Sequence, residues 1–194
     1  MASFKSHSLV RSRAVLGAAV ALALSACATG MAPMDANPMV GGAAMYASKN
    51  IIENAVNSQD HTTLVAAVKA AGLVDTLSGA GPFTVFAPTN DAFAKLPAGT
   101  VDTLLKPENK AQLTKILTYH VVPGRITADQ IAAAAAANGG TATFTTVEGE
   151  PLRFMESGGG WTVIDAQGNR AMITIANVMQ SNGVIHVIDT VLMP

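Results

Sequence analysis

The sequence predicts an α+β domain with a mainly β core. Apolar residues recur at helical spacing through the first half, from about residue 48 to residue 137. From Thr141 onward the period changes to two. One strand-like run, residues 81–93 (GPFTVFAPTNDAF), is inserted among the helices. Helices first, strands second and one early strand together describe a single domain of packed sheet and helices.

The inserted strand organises the rest. Phe83, Val85 and Ala87 point one way and Thr84 and Phe86 the other, the pattern of a strand covered on both faces. Pro88 lacks a backbone donor and ends the ladder. Thr89 or Asn90 is the N-cap of a following helix, Asp91 suits the positive end of its dipole, and Phe93 returns to the core.

In chain order, Ile51, Ile52, Ala55 and Val56 share one helical face. Leu64, Val65, Val68 and Ala71 share another, with Asp60 or Thr62 as cap and Gly72 as stop. Residues 73–77 form a short further turn. Thr100 caps residues 101–105, and Pro107 fits a first helical turn. Leu113, Ile116 and Leu117 then pack inward with His120 beside them. Tyr119-His120-Val121-Val122 reads as a strand end closed by Pro123-Gly124. Thr127-x-x-Gln130 is a capping box opening the Ala-rich helix 131–137. Strands are expected at 141–147, 152–156, 161–165, 171–176 and 184–192. Asn182-Gly183 between the last two is a hairpin signal, because both residues tolerate positive φ.

The N-terminal piece reads differently. Lys5, Arg11 and Arg13 precede an apolar stretch, 14–24, that is short for a membrane span, and no acidic residue occurs before Asp35. Residues 1–26 therefore read as a signal peptide. Ala26-Cys27-Ala28 fits ordinary cleavage, which would release a soluble secreted protein. Leu24-Ser25-Ala26-Cys27 resembles a bacterial lipobox, and this reading is preferred because the cysteine sits where the apolar stretch ends. Cys27 is the sole cysteine, so no internal disulfide is available. Residues 27–44 read as a flexible tether and 45–194 as the domain. The tether methionines have no His or Cys beside them, so a soft-metal site is not expected.

Twelve basic side chains less the three in the signal peptide leave nine against thirteen acidic ones, a net charge of −4. Without basic clusters, nucleic-acid binding is not expected. Nucleophile elbows, H-E-x-x-H, phosphate loops and dinucleotide fingerprints are absent from the sequence, so neither an enzyme nor a cofactor is expected.

Three segments resemble the fasciclin domain: residues 84–93 (TVFAPTNDAF), 119–122 (YHVV) and 182–189 (NGVIHVID), continuing to Val191, Leu192 and Pro194. Their order and spacing match, and the resemblance spans about residues 44–194. It implies a wedge of about seven strands in two sheets, with helices packed at one side. It gives Phe86, Pro88, Thr89, Asn90, Asp91, Phe93, Asn182, Gly183, His186 and Asp189 as the structural motif. The implied role is adhesion and matrix or envelope interaction. In animal members an Asp-Ile pair before the Asn-Gly turn, and the Tyr-His region, are linked to integrin binding. The corresponding pair here is Asn177-Val178, without the acid, while Tyr119 and His120 match. These four are the binding candidates.

His120 and His186 are also the sharpest candidates for chemistry. Asp189, three residues beyond His186, faces the other way in a strand, so the two do not converge on a metal. Structural imidazoles are the preferred reading, with metal or proton-relay roles as the rival. The expected protein is exported and lipid-anchored, in the outer membrane, at the cell surface or in the periplasm. Ala28 after the cysteine resembles a Gram-negative outer-membrane sorting pattern. Its expected partner is an envelope or extracellular protein or polysaccharide, or a second copy. The alternative is a periplasmic polysaccharide- or small-ligand-binding module.

Overall fold

The computed structural model describes residues 37–194. The signal peptide, Cys27 and most of the tether lie outside the described residues. The elements run β1 (Met39–Val40), β2 (Ala43–Ala44), α1 (Ile51–Ala55), a 3₁₀ turn (Gln59–His61), α2 (Thr62–Ala71), α3 (Val74–Ser78), β3 (Phe83–Pro88), α4 (Asn90–Ala94) and α5 (Thr100–Leu104). They continue with a second 3₁₀ turn (Pro107–Asn109), α6 (Lys110–Tyr119), β4 (Val121–Pro123), α7 (Ala128–Ala137), β5 (Thr141–Thr145), β6 (Pro151–Ser157), β7 (Gly160–Ile164), β8 (Arg170–Gln180) and β9 (Gly183–Ile188).

Seven strands lie in the order β4-β3-β9-β8-β7-β6-β5, apart from the β1–β2 hairpin. The expected strand count is met, and the expected two sheets are two wings sharing β8. Its first residues pair with β7 and the rest with β9, with register shifts where β8 bulges. β3 is parallel to β9 and antiparallel to β4. The far ends of the order also touch: the Val147 amide after β5 donates to the Val121 carbonyl of β4 at 2.7 Å. The sheet thus curls around one apolar core and leaves a second outside it.

β3 separates the two cores, as its alternation predicts. Val85 and Ala87 join the outer core, with buried residues from α1 to α6. Phe86 joins the inner core with Tyr119, Leu152, Phe154, Val163 and Ile188. Its ring lies 5.2 Å from that of Phe154 and 5.5 Å from the His186 imidazole. Helices are not confined to one side: Ile131 and Ala135 of α7, four residues apart on one helical face, pack into the inner core.

Other local expectations are corrected. The tether does not reach residue 44, because residues 39–44 form a hairpin turned by Gly41 and Gly42, both at positive φ. Val40 and Met45 are buried in the outer core, and the Gln59 amide donates to the Gly41 carbonyl. Two-residue strands are too short to show a period. Val56 is the C-cap of α1 and is exposed, because the helix stops before the fourth position of its apolar face. Gly99, not Thr100, is the N-cap of α5. Thr89 caps α4, its hydroxyl accepting from the Ala92 amide at 3.2 Å. Asn90 instead serves α2: its carbonyl oxygen accepts from the Thr63 amide at 3.0 Å, where neither Asp60 nor Thr62 acts as cap.

Candidate functional site

Tyr119 ends α6 and His120 is its C-cap, so the strand begins only at Val121. His120 Nδ1 donates to the Ile116 carbonyl at 2.8 Å, and Nε2 accepts from the Leu192 amide at 3.0 Å. One nitrogen must carry the proton and the other a lone pair, which describes a neutral imidazole. Burial pushes its pKa down to about 4 against the raising effects of the Ile116 carbonyl and the Asp165 charge. The Tyr119 hydroxyl accepts from the Ala166 amide at 2.8 Å and faces the Pro151 carbonyl at 3.5 Å. Burial raises its pKa to about 12, with the carboxylates of Asp165, Glu150 and Glu148 adding to the rise against the Ala166 bond.

His186 repeats the pattern from β9. Nε2 donates to the Ile126 carbonyl at 2.8 Å, and Nδ1 faces the Asn177 amide at 3.4 Å. Burial lowers its pKa against that carbonyl bond. Asn177 holds φ +59 in the β8 bulge, and its side-chain oxygen accepts from Ala128, the first residue of α7, at 2.8 Å. Asp189 lies apart from His186, as the strand geometry predicts. It accepts from the Met172 amide at 2.8 Å and pairs with Lys95 at 3.3 Å. Burial raises its pKa, but these partners and Thr190 outweigh it and the net shift is downward.

The binding candidates are therefore mostly interior. Tyr119 and Val178 are fully buried and His120 is 2% exposed. Their polar atoms fasten the α6–β4 junction and the chain end, and they are not at the surface. Trp161 is half-buried against the inner core.

Asn182 differs in mechanism from its sequence reading. Neither it nor Gly183 has positive φ; Ser181 and Asn182 link the strands. The buried Asn182 amide accepts from Ile51 N at 3.0 Å and donates to the Leu77 and Gly79 carbonyls at 2.8 and 2.9 Å. It binds the N-terminus of α1 and the end of α3 to the β8–β9 turn. Asn182→Ala leaves three backbone groups without partners and is expected to cost about 2–3 kcal/mol, measured by urea unfolding. Asn182→Asp is expected to be no better, because a carboxylate offers no donor to the two carbonyls.

Several interior polar residues lie outside the sequence candidates, Asp165 and Asn54 among them. Asp165 is fully buried and accepts from the amides of Gln167, Asn169 and Met193 and from the Asn169 side chain. The Asp-x-Gln-Gly-Asn turn around it was the available signal, an Asp bonding backbone amides two and four residues on. Asn54 bonds the Tyr46 backbone and the Gln180 side chain inside the fold. It sits on an apolar helix face with no local signal.

Among the described residues, no group of three His, Cys, Asp or Glu side chains is placed to hold a metal ion. An apolar crevice with an interior volume of about 30 Å³, room for little more than water, lies between α1, α2, α3, α6 and β3. Ile52, Val65, Leu77 and Val121 line it, with Lys69 as its cation and His120 as its imidazole. The hydrogen-bonding atoms of that imidazole are both engaged by backbone.

A mainly β sheet between two apolar cores, with helices packed against both and a buried Tyr-His junction, defines the fold class. The fasciclin domain profile matches residues 59–194, and the chain belongs to that family. It is 51% identical over 164 residues to protein sll1483 of Synechocystis sp., covering 84% of each chain. It is 37% identical over 163 residues to the cell surface glycolipoprotein MPB83 of Mycobacterium bovis, covering 79% of this chain and 64% of that one. A solved FAS1 domain pair from the insect cell adhesion molecule fasciclin I superposes with TM-score 0.67 at 19% identity, covering 75% of this chain and 51% of that one. At that identity the likeness concerns the fold alone. Among the described residues, no helix is long and apolar enough to cross a membrane.

Proposed function

We propose that this is an exported, lipid-anchored fasciclin-domain protein that works by binding an envelope or extracellular macromolecule, without catalytic turnover. The observation that carries this reading is the condition of His120, His186 and Tyr119. Each is inside the fold, and each is tied to backbone groups. What the domain offers a partner is its outer surface. The family and the cell-surface relative support the export and anchoring. Cys27 is the lipidated residue of this reading, and the residues between it and the β1–β2 hairpin are the spacer. Bacterial lipoproteins resembling this pattern carry more than one acyl chain on that cysteine, enough for stable anchoring.

The test compares cells carrying the full chain or Cys27→Ser. The full chain is expected in the membrane fraction and retained on isolated envelopes after detergent release. Cys27→Ser is expected in the soluble fraction, with envelope retention of the domain unchanged. Equal fractionation sinks the anchor, and no retention of either form sinks the binding.

A further inference from the structure

We infer that the outer face of strands β5 to β8 is a contact surface for a linear anionic polysaccharide. This rests on the reading that the protein binds an extracellular macromolecule, and names the partner class and the face. The register assembles it. Arg153 lies opposite Ile164, which lies opposite Arg170; one step along, Met155, Thr162 and Met172 make a parallel row. On β5, Thr143 and Thr141 extend the two rows. Residues directly opposite one another share a face, so these eight side chains form one grid. Their strand neighbours Leu152, Phe154, Val163 and Ala171 fill the inner core on the other side.

The grid's composition is unlike a solvated strand surface. It holds no carboxylate, on a domain whose net charge is negative. Arg153 and Arg170 are exposed, and among the described residues neither makes an ion pair. Asp189, beside Met172, is already held by Lys95 and the Met172 amide. Met155 and Met172 are 42% and 48% exposed, while Ile164 and Thr162 form the floor between them.

Geometry selects the partner. Four strands span only about 15 Å, so the grid is well below the roughly 800 Å² per side of a stable protein interface. It suits an extended chain laid across the strands. The arginine backbones are two strand spacings apart, about 10 Å. That is the scale on which an extended polymer presents acidic groups from alternate sugars. Each guanidinium fork matches a carboxylate or sulfate. The thioethers offer apolar contact to ring C–H faces, and the hydroxyls of Thr141 and Thr143 both donate and accept. A two-fold pairing of this face with a second copy would set arginines against arginines, which disfavours that occupant.

The test measures binding of the full chain to immobilised alginate, a polyuronate, at low and high salt. Carboxyl-reduced alginate, poly-L-glutamate and phosphatidylglycerol vesicles are the other arms. Arg153→Gln/Arg170→Gln is expected to bind alginate at least about tenfold more weakly. The charge-matched Lys106→Gln/Lys110→Gln variant, on the helical side, is expected to match wild type. Binding to alginate is expected to fall with salt and to be absent for the reduced polymer. The inference is overturned by equal alginate binding of the arginine variant, by no alginate binding, or by arginine-dependent binding confined to poly-L-glutamate or vesicles. Envelope retention separates the two levels. If the arginine variant is retained like wild type, this face is wrong and adhesion stands; if neither is retained, the adhesive reading itself fails.

Discussion

Gly183→Ala is expected to destabilise the domain by at least about 3 kcal/mol. Gly183 opens β9 and pairs with Phe83 across the parallel β3–β9 ladder at the centre of the sheet. A Cβ at this position would overlap the Phe83 carbonyl oxygen, lie 2.9 Å from the Phe83 carbonyl carbon and 3.1 Å from the Ile51 Cδ1. The first two are backbone atoms and cannot rotate away. Relief requires β3 to move from β9, and β3 carries Phe86 into one core and Val85 into the other. The Phe83 amide also donates to the Asn182 carbonyl at 3.0 Å, so the same shift strains the turn. Gly160→Ala is the control: its Cβ meets nothing within 4 Å, and its φ is outside the left-handed region. It is expected to change stability by less than about 0.5 kcal/mol. Urea midpoints for the two variants check this, and equal midpoints would remove the steric account.

The second large effect is with pH. Burial lowers the pKa of His120, His186 and His61 in the folded protein. A lowered folded pKa means that the unfolded chain takes up the proton first. The stability held by a neutral imidazole is therefore complete above about pH 6.5 and is lost as pH falls toward the folded value. For His120 the window runs from about 6.5 to about 4, a loss on the order of 3 kcal/mol. His186 and His61 lose stability in the same direction. The cost has a structural origin: protonated His120 would turn its Nε2 into a donor facing the Leu192 N–H. His61 Nε2 is buried without a hydrogen-bond partner in the described structure. Asp189, whose folded pKa is also lowered, contributes stability that is lost only below about pH 3.8, beneath this window. Urea unfolding at pH 7.5, 6, 5 and 4.5 is expected to give steadily falling stability, with a shallower fall in His120→Gln. A flat profile would contradict neutral buried imidazoles.

Local chemistry made much of the fold legible. The two-faced alternation of residues 83–87 told of two cores before any contact was known, because side chains on a strand have no third direction. Thr89 and the Thr127-x-x-Gln130 box marked helix starts through short-range bonds that need no tertiary partner. The candidate site was less legible. Tyr119 and His120 were visible as a motif, but a motif does not carry its own burial.

By itself, the sequence determined the α+β class, the two-faced central strand, the family and most helix and strand positions. Those follow from periods of 2 and 3.6 and from caps within four residues. Only the tertiary structure decided that Asn90 caps a different helix, that Asn182 joins three segments, and that Gly183 is needed for room and not for φ. It also joined Arg153 and Arg170 across Ile164. Each of these depends on a partner up to 131 residues away, and no local pattern specifies which distant backbone will arrive beside a given side chain.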